Sequence, residues 1–109
     1  MTETPNLNYI KQIAGGDEEF EKRFISIIQI EFPKEKSDYE DSLEKNELND
    51  SATIVHKIKH KLGILGLKGG YELAIKYEEN LKQGNTLLQD QFMAVLNTVE
   101  TYIQKLEIR

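Results

Sequence analysis

The sequence predicts an all-α protein, an antiparallel up-down-up-down four-helix bundle with a short additional N-terminal helix. Three observations predict it. Apolar residues recur at three- and four-residue steps in successive segments, which is the period of a helix face. Proline occurs only at Pro5 and Pro33, so the chain beyond Pro33 carries no imino-acid interruption. Short clusters of glycine and capping residues separate the periodic segments, and short connections favour antiparallel neighbours. No strand-like alternation or internal repeat is visible.

Taken in order, residues 1–6 read as a loose lead-in. Leu7 to Ala14 then reads as a short helix carrying Tyr9, Ile10 and Ile13 toward a core, closed by Gly15-Gly16. Asp17 is a good N-cap, with Glu18 and Glu19 in the first turn where the helix dipole favours negative charge. The long second helix has its stripe at Phe20, Phe24, Ile27, Ile28 and Phe32. Pro33 is expected to kink or divide it, with Tyr39 and Leu43 continuing the stripe beyond. Lys45 to Ser51 is rich in capping residues, which places a turn there and starts the next helix near Asp50, to run to about Leu67. Lys68-Gly69-Gly70 breaks the pattern, with Gly70 at the break or already in the following helix, whose stripe is Leu73, Ala74, Tyr77 and Leu81. After Gln83-Gly84-Asn85, Thr86 and Gln89 have the spacing of a capping box. The last helix carries Phe92, Val95, Leu96, Val99, Tyr102, Ile103 and Leu106 in a nearly continuous seam.

Composition narrows the function. A chain of 109 residues and 12.6 kDa closes one core, so residues 1–109 are expected to form a single domain with no room for a separate nucleotide-binding lobe. The absence of cysteine excludes disulfides, thiolate metal sites and a cysteine nucleophile. No apolar run approaches the roughly 18 residues needed to span a bilayer, and the polar opening Met1-Thr2-Glu3-Thr4-Pro5 does not read as a signal peptide. The expected compartment is the cytoplasm. A net charge of −5 argues against broad binding to nucleic acid or an anionic membrane. Charge is unevenly spread, however: between Ser51 and Tyr71 lie Lys57, Lys59, Lys61 and Lys68 and no acidic residue. Such a window suits a phosphoryl group or an acidic partner surface.

The one chemically distinctive helix contains His56. At about 100° per residue, Ile54, Ile58, Leu62 and Leu65 cluster on one side and His56 points away from them. On the same wet face fall Ala52 one turn before, Lys59 and His60 one turn after, and Gly63 two turns after. Interior glycine costs about 1 kcal/mol against alanine, so Gly63 needs a reason. Close approach of a partner is one, and tight helix packing is another. Ile64 and Leu67 lie toward the edge of that face, where they either form an apolar docking rim or pack under the neighbouring helix.

This arrangement resembles the central motif of histidine-containing phosphotransfer (HPt) domains, in which an exposed histidine is followed by Lys three positions on, Gly four on and Gly ten on. Lys59 and Gly66 match, and Ile58 supplies the hydrophobic residue two after the histidine. His60 stands where the family usually has glycine. The likeness continues through Leu73, Ala74, Tyr77 and Glu78, which fall on the apolar stripe and acidic residue of the family's next helix, and through Gly16-Asp17 and Pro33 upstream.

The resemblance implies a phosphorelay carrier. His56 would be the phosphoacceptor and Lys59 would stabilise the phosphoryl group, while Ala52, His60, Gly63, Ile64 and Leu67 would meet the partner. Response-regulator receiver domains and a hybrid histidine kinase are the implied partners. Mg²⁺ and the reacting aspartate would belong to the receiver, so no resident metal or cofactor is expected. The domain would be a substrate and carrier rather than a self-sufficient kinase. Two other readings are compatible with the same residues. One is an adaptor bundle that docks a receiver or kinase without accepting phosphate, since His60 crowds His56. The other is a metal-binding helical protein, with His56 and His60 at i, i+4 as two ligands of Zn²⁺ or Ni²⁺ and no evident third.

Overall fold

The computed structural model describes residues 3–106. Their secondary structure is entirely helical: α1 (Asn8–Ala14), α2 (Glu18–Glu44), α3 (Leu48–Ile64), α4 (Lys68–Lys82) and α5 (Gln89–Lys105). Each of α2 to α5 packs against its neighbours in chain order and α5 closes back on α2, while α1 lies on α2. Among the described residues no helix is long and apolar enough to cross a membrane.

The core draws one stripe from each long helix: Ile25, Ile28, Phe32 and Tyr39 from α2, Val55, Ile58 and Leu62 from α3, Ala74, Tyr77 and Leu81 from α4, and Phe92, Leu96, Val99 and Ile103 from α5. The α4 and α5 stripes follow the expected periodicity. In α2 the buried face is rotated from the expected one, because it must serve both α3 and α5: Phe20 and Ile27 are left partly in solvent. Only Ile10 of α1 is buried, and Tyr9 and Ile13, expected to join it, stay exposed because this short helix covers one side of α2 alone. Two hydroxyl pairs lie within the apolar interior. Tyr39 and Tyr77 share a hydrogen bond of 2.6 Å, with the Phe92 ring edge-on to Tyr39, and Ser42 and Ser51 share another of 2.6 Å.

The helix ends explain several departures from the sequence expectation. Asp17 caps α2 as expected, its carboxylate accepting the Phe20 N–H at 3.1 Å. Pro33 does not divide α2. Its ring faces solvent, and the buried Phe32 and Tyr39 hold the helix on either side of it. Between α2 and α3, Asn46 takes the left-handed conformation at φ 57°, and α3 begins at Leu48, ahead of the Asp50 start expected. It also stops at Ile64, earlier than Leu67, because Gly66 at φ +80° reverses the chain and brings Leu67 N–H onto the Leu62 carbonyl at 2.9 Å.

Gly70 belongs to α4, one of the two positions expected for it, and Gly69, expected at the break, joins it in the first turn. Its free N–H groups are capped from a distance, Gly69 N–H and Gly70 N–H donating to the two Glu3 carboxylate oxygens at 2.6 and 3.0 Å. Asn6 N–H donates to the Leu65 carbonyl at 2.8 Å, so the N-terminal segment straps the α3–α4 turn. The expected capping box at Thr86 and Gln89 does not form. Asn85 instead accepts the Leu87 N–H at 2.8 Å, and α5 starts at Gln89 with no side-chain cap.

Candidate functional site

His56 sits midway along α3 with its side chain 52% exposed, where the far-face geometry placed it. Burial of Val55 and Ile58 on either side fixes the helix rotation and holds the imidazole outward. Across the α3–α4 contact, 22 residues later in the chain, Glu78 presents both carboxylate oxygens at 3.2 Å from His56 Nδ1. A carboxylate can only accept, so Nδ1 carries the proton and donates it to Glu78. The neutral ring then keeps its lone pair on Nε2, which makes no hydrogen bond among the described residues.

Lys59 is placed differently from the expectation that it reaches toward a phosphoryl oxygen. Its side chain is only 12% exposed, with Nζ 3.4 Å from Glu78 and 3.3 Å from His56 Nδ1, on the Nδ1 side of the ring. With the Nδ1 proton directed at Glu78, the short Nζ–Nδ1 approach is not a hydrogen bond, and the ammonium donates to the carboxylate. Its stem lies beside Tyr71, with Nζ 5.9 Å from the ring centre. Lys82 adds a third cationic or donor group at 3.5 Å from Glu78. Partial burial raises the Glu78 carboxyl, but the hydrogen bond it accepts from His56 and the charge of the nearby Lys59 ammonium together outweigh that, leaving the pKa below its ordinary value.

The basic window is also less basic than its composition. Lys61 turns to α2 and pairs with Glu31 and Glu35, each at 3.0 Å. Burial pushes the Lys61 ammonium down and the two carboxylates more than compensate, so its pKa stands above the usual lysine value. Lys59 is tied to Glu78, which leaves Lys57 and Lys68 as the exposed lysines of the window.

Two of the expected partner-contacting residues are not on the surface. Ala52 is 2% exposed, because the packing of α3 on its neighbouring helices covers it. Leu67 is also 2% exposed, because the turn at Gly66 removes it from α3 and directs it inward at the start of α4. Ile64 is half-buried against the core. His60 and Gly63 are exposed as expected. Gly63 owes its identity at least in part to helix spacing: a Cβ there would lie 3.3 Å from Tyr71 Cδ2. His60 stands edge-to-face against His56, with ring centres 5.1 Å apart and planes at 87°. Glu78 is the site residue that local periodicity does not reveal as a contact, since its position across from His56 depends on the register between two helices.

A cavity of about 470 Å³ lies elsewhere, lined by Leu67, Gly70, Leu73 and Val95 among others, and does not include His56. Among the described residues no three His, Cys, Asp or Glu side chains converge as a metal cage. No protein-family model, curated protein or solved structure matches the chain.

Proposed function

We propose that this chain is a phosphorelay carrier, accepting a phosphoryl group on His56 Nε2 from a receiver-domain aspartyl phosphate and donating it to another receiver. The observation that carries the reading is the exposed imidazole whose Nδ1–H is held by a carboxylate, leaving Nε2 free. Attack of that lone pair on phosphorus forms the N–P bond as the P–O bond to the aspartate breaks and its carboxylate departs. The ring retains its Nδ1 proton and becomes cationic, and Glu78 stands against that charge. No base is needed on this side. The receiver would supply Mg²⁺ and alignment, and a hybrid histidine kinase the phosphate.

Paired contacts support the finer topology. Ser42 meets Ser51 while Glu35 and Glu31 meet Lys61; His56 meets Glu78 while Gly63 lies against Tyr71; Tyr39 meets Phe92 while Gln29 bonds the Ile103 carbonyl. Numbers fall along one helix as they rise along the next, as in an antiparallel up-down-up-down bundle. The reading places the protein in the cytoplasm, away from nucleic acid and membrane.

Incubation with a phosphorylated receiver and Mg²⁺ tests it. Acid-labile label is expected on wild type and on His60→Gln and to be lost in His56→Gln. The crowding of His56 by His60 favours one competitor, an adaptor that docks a receiver without chemistry. Receiver binding with no label on any of the three proteins would establish the adaptor instead.

A further inference from the structure

We propose that His56 and His60 form an exchangeable two-histidine site for a late first-row divalent cation of the Zn²⁺ or Cu²⁺ class, and that its occupation blocks the phosphoacceptor nitrogen. The blocking half rests on the relay reading above, whereas the binding half does not.

The spacing of the two rings is that of a chelate. An imidazole nitrogen about 2.0–2.1 Å from Zn²⁺, and a ring centre about 1.1 Å beyond it, put each ring centre roughly 3.2 Å from the ion; two such rings at a tetrahedral angle stand about 5.2 Å apart. The ring centres of His56 and His60 are 5.1 Å apart. Both rings are exposed on one face of α3, four residues apart, so the ion enters from solvent and keeps water in its remaining positions.

Glu78 supplies the outer support such a site needs. A metal-bound histidine ordinarily donates its other ring N–H to a carboxylate, which fixes the tautomer and makes the ligating nitrogen more basic. His56 already does so, at 3.2 Å, with Nε2 as the available ligand atom. With His56 held, only the exposed His60 has to turn. Lys59, whose ammonium lies beside His56 Nδ1, is neutralised by Glu78 at 3.4 Å, and the chain as a whole carries −5. Imidazole suits zinc and copper better than Mg²⁺, so the Mg²⁺ of a receiver would not compete for the pair. These are the only histidines of the chain, and it has no cysteine, so the imidazole ligands are unambiguous.

Zn²⁺ alone, titrated calorimetrically into the whole chain, tests the site, with imidazole ¹⁵N resonances followed in parallel. One ion per chain is expected, shifting the signals of both histidines. His60→Gln and His56→Gln are expected to weaken binding at least tenfold, and Glu78→Gln about tenfold. All three positions lie at the surface or its edge, and circular dichroism checks their folding. Unchanged Zn²⁺ affinity in His60→Gln, or binding that leaves the imidazole signals unmoved, would overturn the site. Labelling by a phosphorylated receiver is then repeated with and without Zn²⁺. Suppression in wild type but not in His60→Gln supports the block, and full labelling of zinc-loaded wild type overturns it. Zinc binding with the expected mutational pattern, accompanied by no label under any condition, would instead sink the relay reading and leave the metal site standing.

Discussion

At the scale of single residues, Glu78 is the group on which the chemistry of His56 depends. It selects the Nδ1–H tautomer and faces the positive charge that grows on the ring during attack. A hydrogen bond to a charged group contributes about 1.5–3 kcal/mol, so Glu78→Gln is expected to slow labelling of His56 by roughly ten- to a hundredfold, read in single-turnover transfer from a phosphorylated receiver. The same carboxylate makes stability depend on acid. Its folded pKa lies below the unfolded one, so its contribution is fully present above the ordinary carboxylate range and is lost as pH falls through the depressed folded value. Thermal melts of wild type and Glu78→Gln are therefore expected to differ most near neutrality and to converge as pH falls below the ordinary carboxylate range through the lowered Glu78 value. A gap that widened with acid would contradict the assignment of Glu78 as the ionised partner.

At the scale of elements, the sequence shows faces better than it shows ends and registers. His56, His60 and Gly63 fall on the exposed face because four-residue spacing fixes direction around a helix. Ala52 lies only one turn from His56, yet whether that flank meets water or a neighbouring helix is set by where the neighbours rest, which spacing within α3 does not encode. Leu67 was legible as apolar and as either a rim residue or a buried one, and its inward direction follows from the left-handed Gly66 rather than from helical period. Glu78 was legible as acidic and helical, and its meeting with His56 requires the α3–α4 register. Gly66 is thus the decisive residue of this hairpin. A Cβ there would also collide with the Asn6 side chain, so Gly66→Ala is expected to cost about 1–3 kcal/mol in urea unfolding. Removing the collision with Asn6→Ala is expected to recover part of that loss and leave the backbone component. Pro33 offers the opposite test. It is exposed inside an unbroken α2, and replacement by alanine restores a helical donor against a smaller gain in unfolded-chain freedom. Pro33→Ala is expected to stabilise the protein by about 2 kcal/mol.

At the scale of the whole molecule, the buried Tyr39–Tyr77 pair links α2 and α4 across a mainly apolar core. The ring of helix contacts already joins α2 to α3, α3 to α4 and α4 to α5, so this pair adds a connection between helices that are not ring neighbours. Burial raises both phenols, Tyr39 far above its ordinary range, so both are neutral at neutral pH. The pair is therefore a neutral hydrogen bond, one hydroxyl donating and the other accepting at 2.6 Å. Removing one hydroxyl leaves the other buried without its partner, which costs about 1–3 kcal/mol, whereas removing both leaves two phenylalanines of nearly the same shape in an apolar setting. Tyr39→Phe and Tyr77→Phe are each expected to destabilise by that amount in urea melts. The double variant is expected to lie close to wild type, a coupling visible only because the two sites act as one. Additive losses in the double variant would mean that each hydroxyl has found an independent partner.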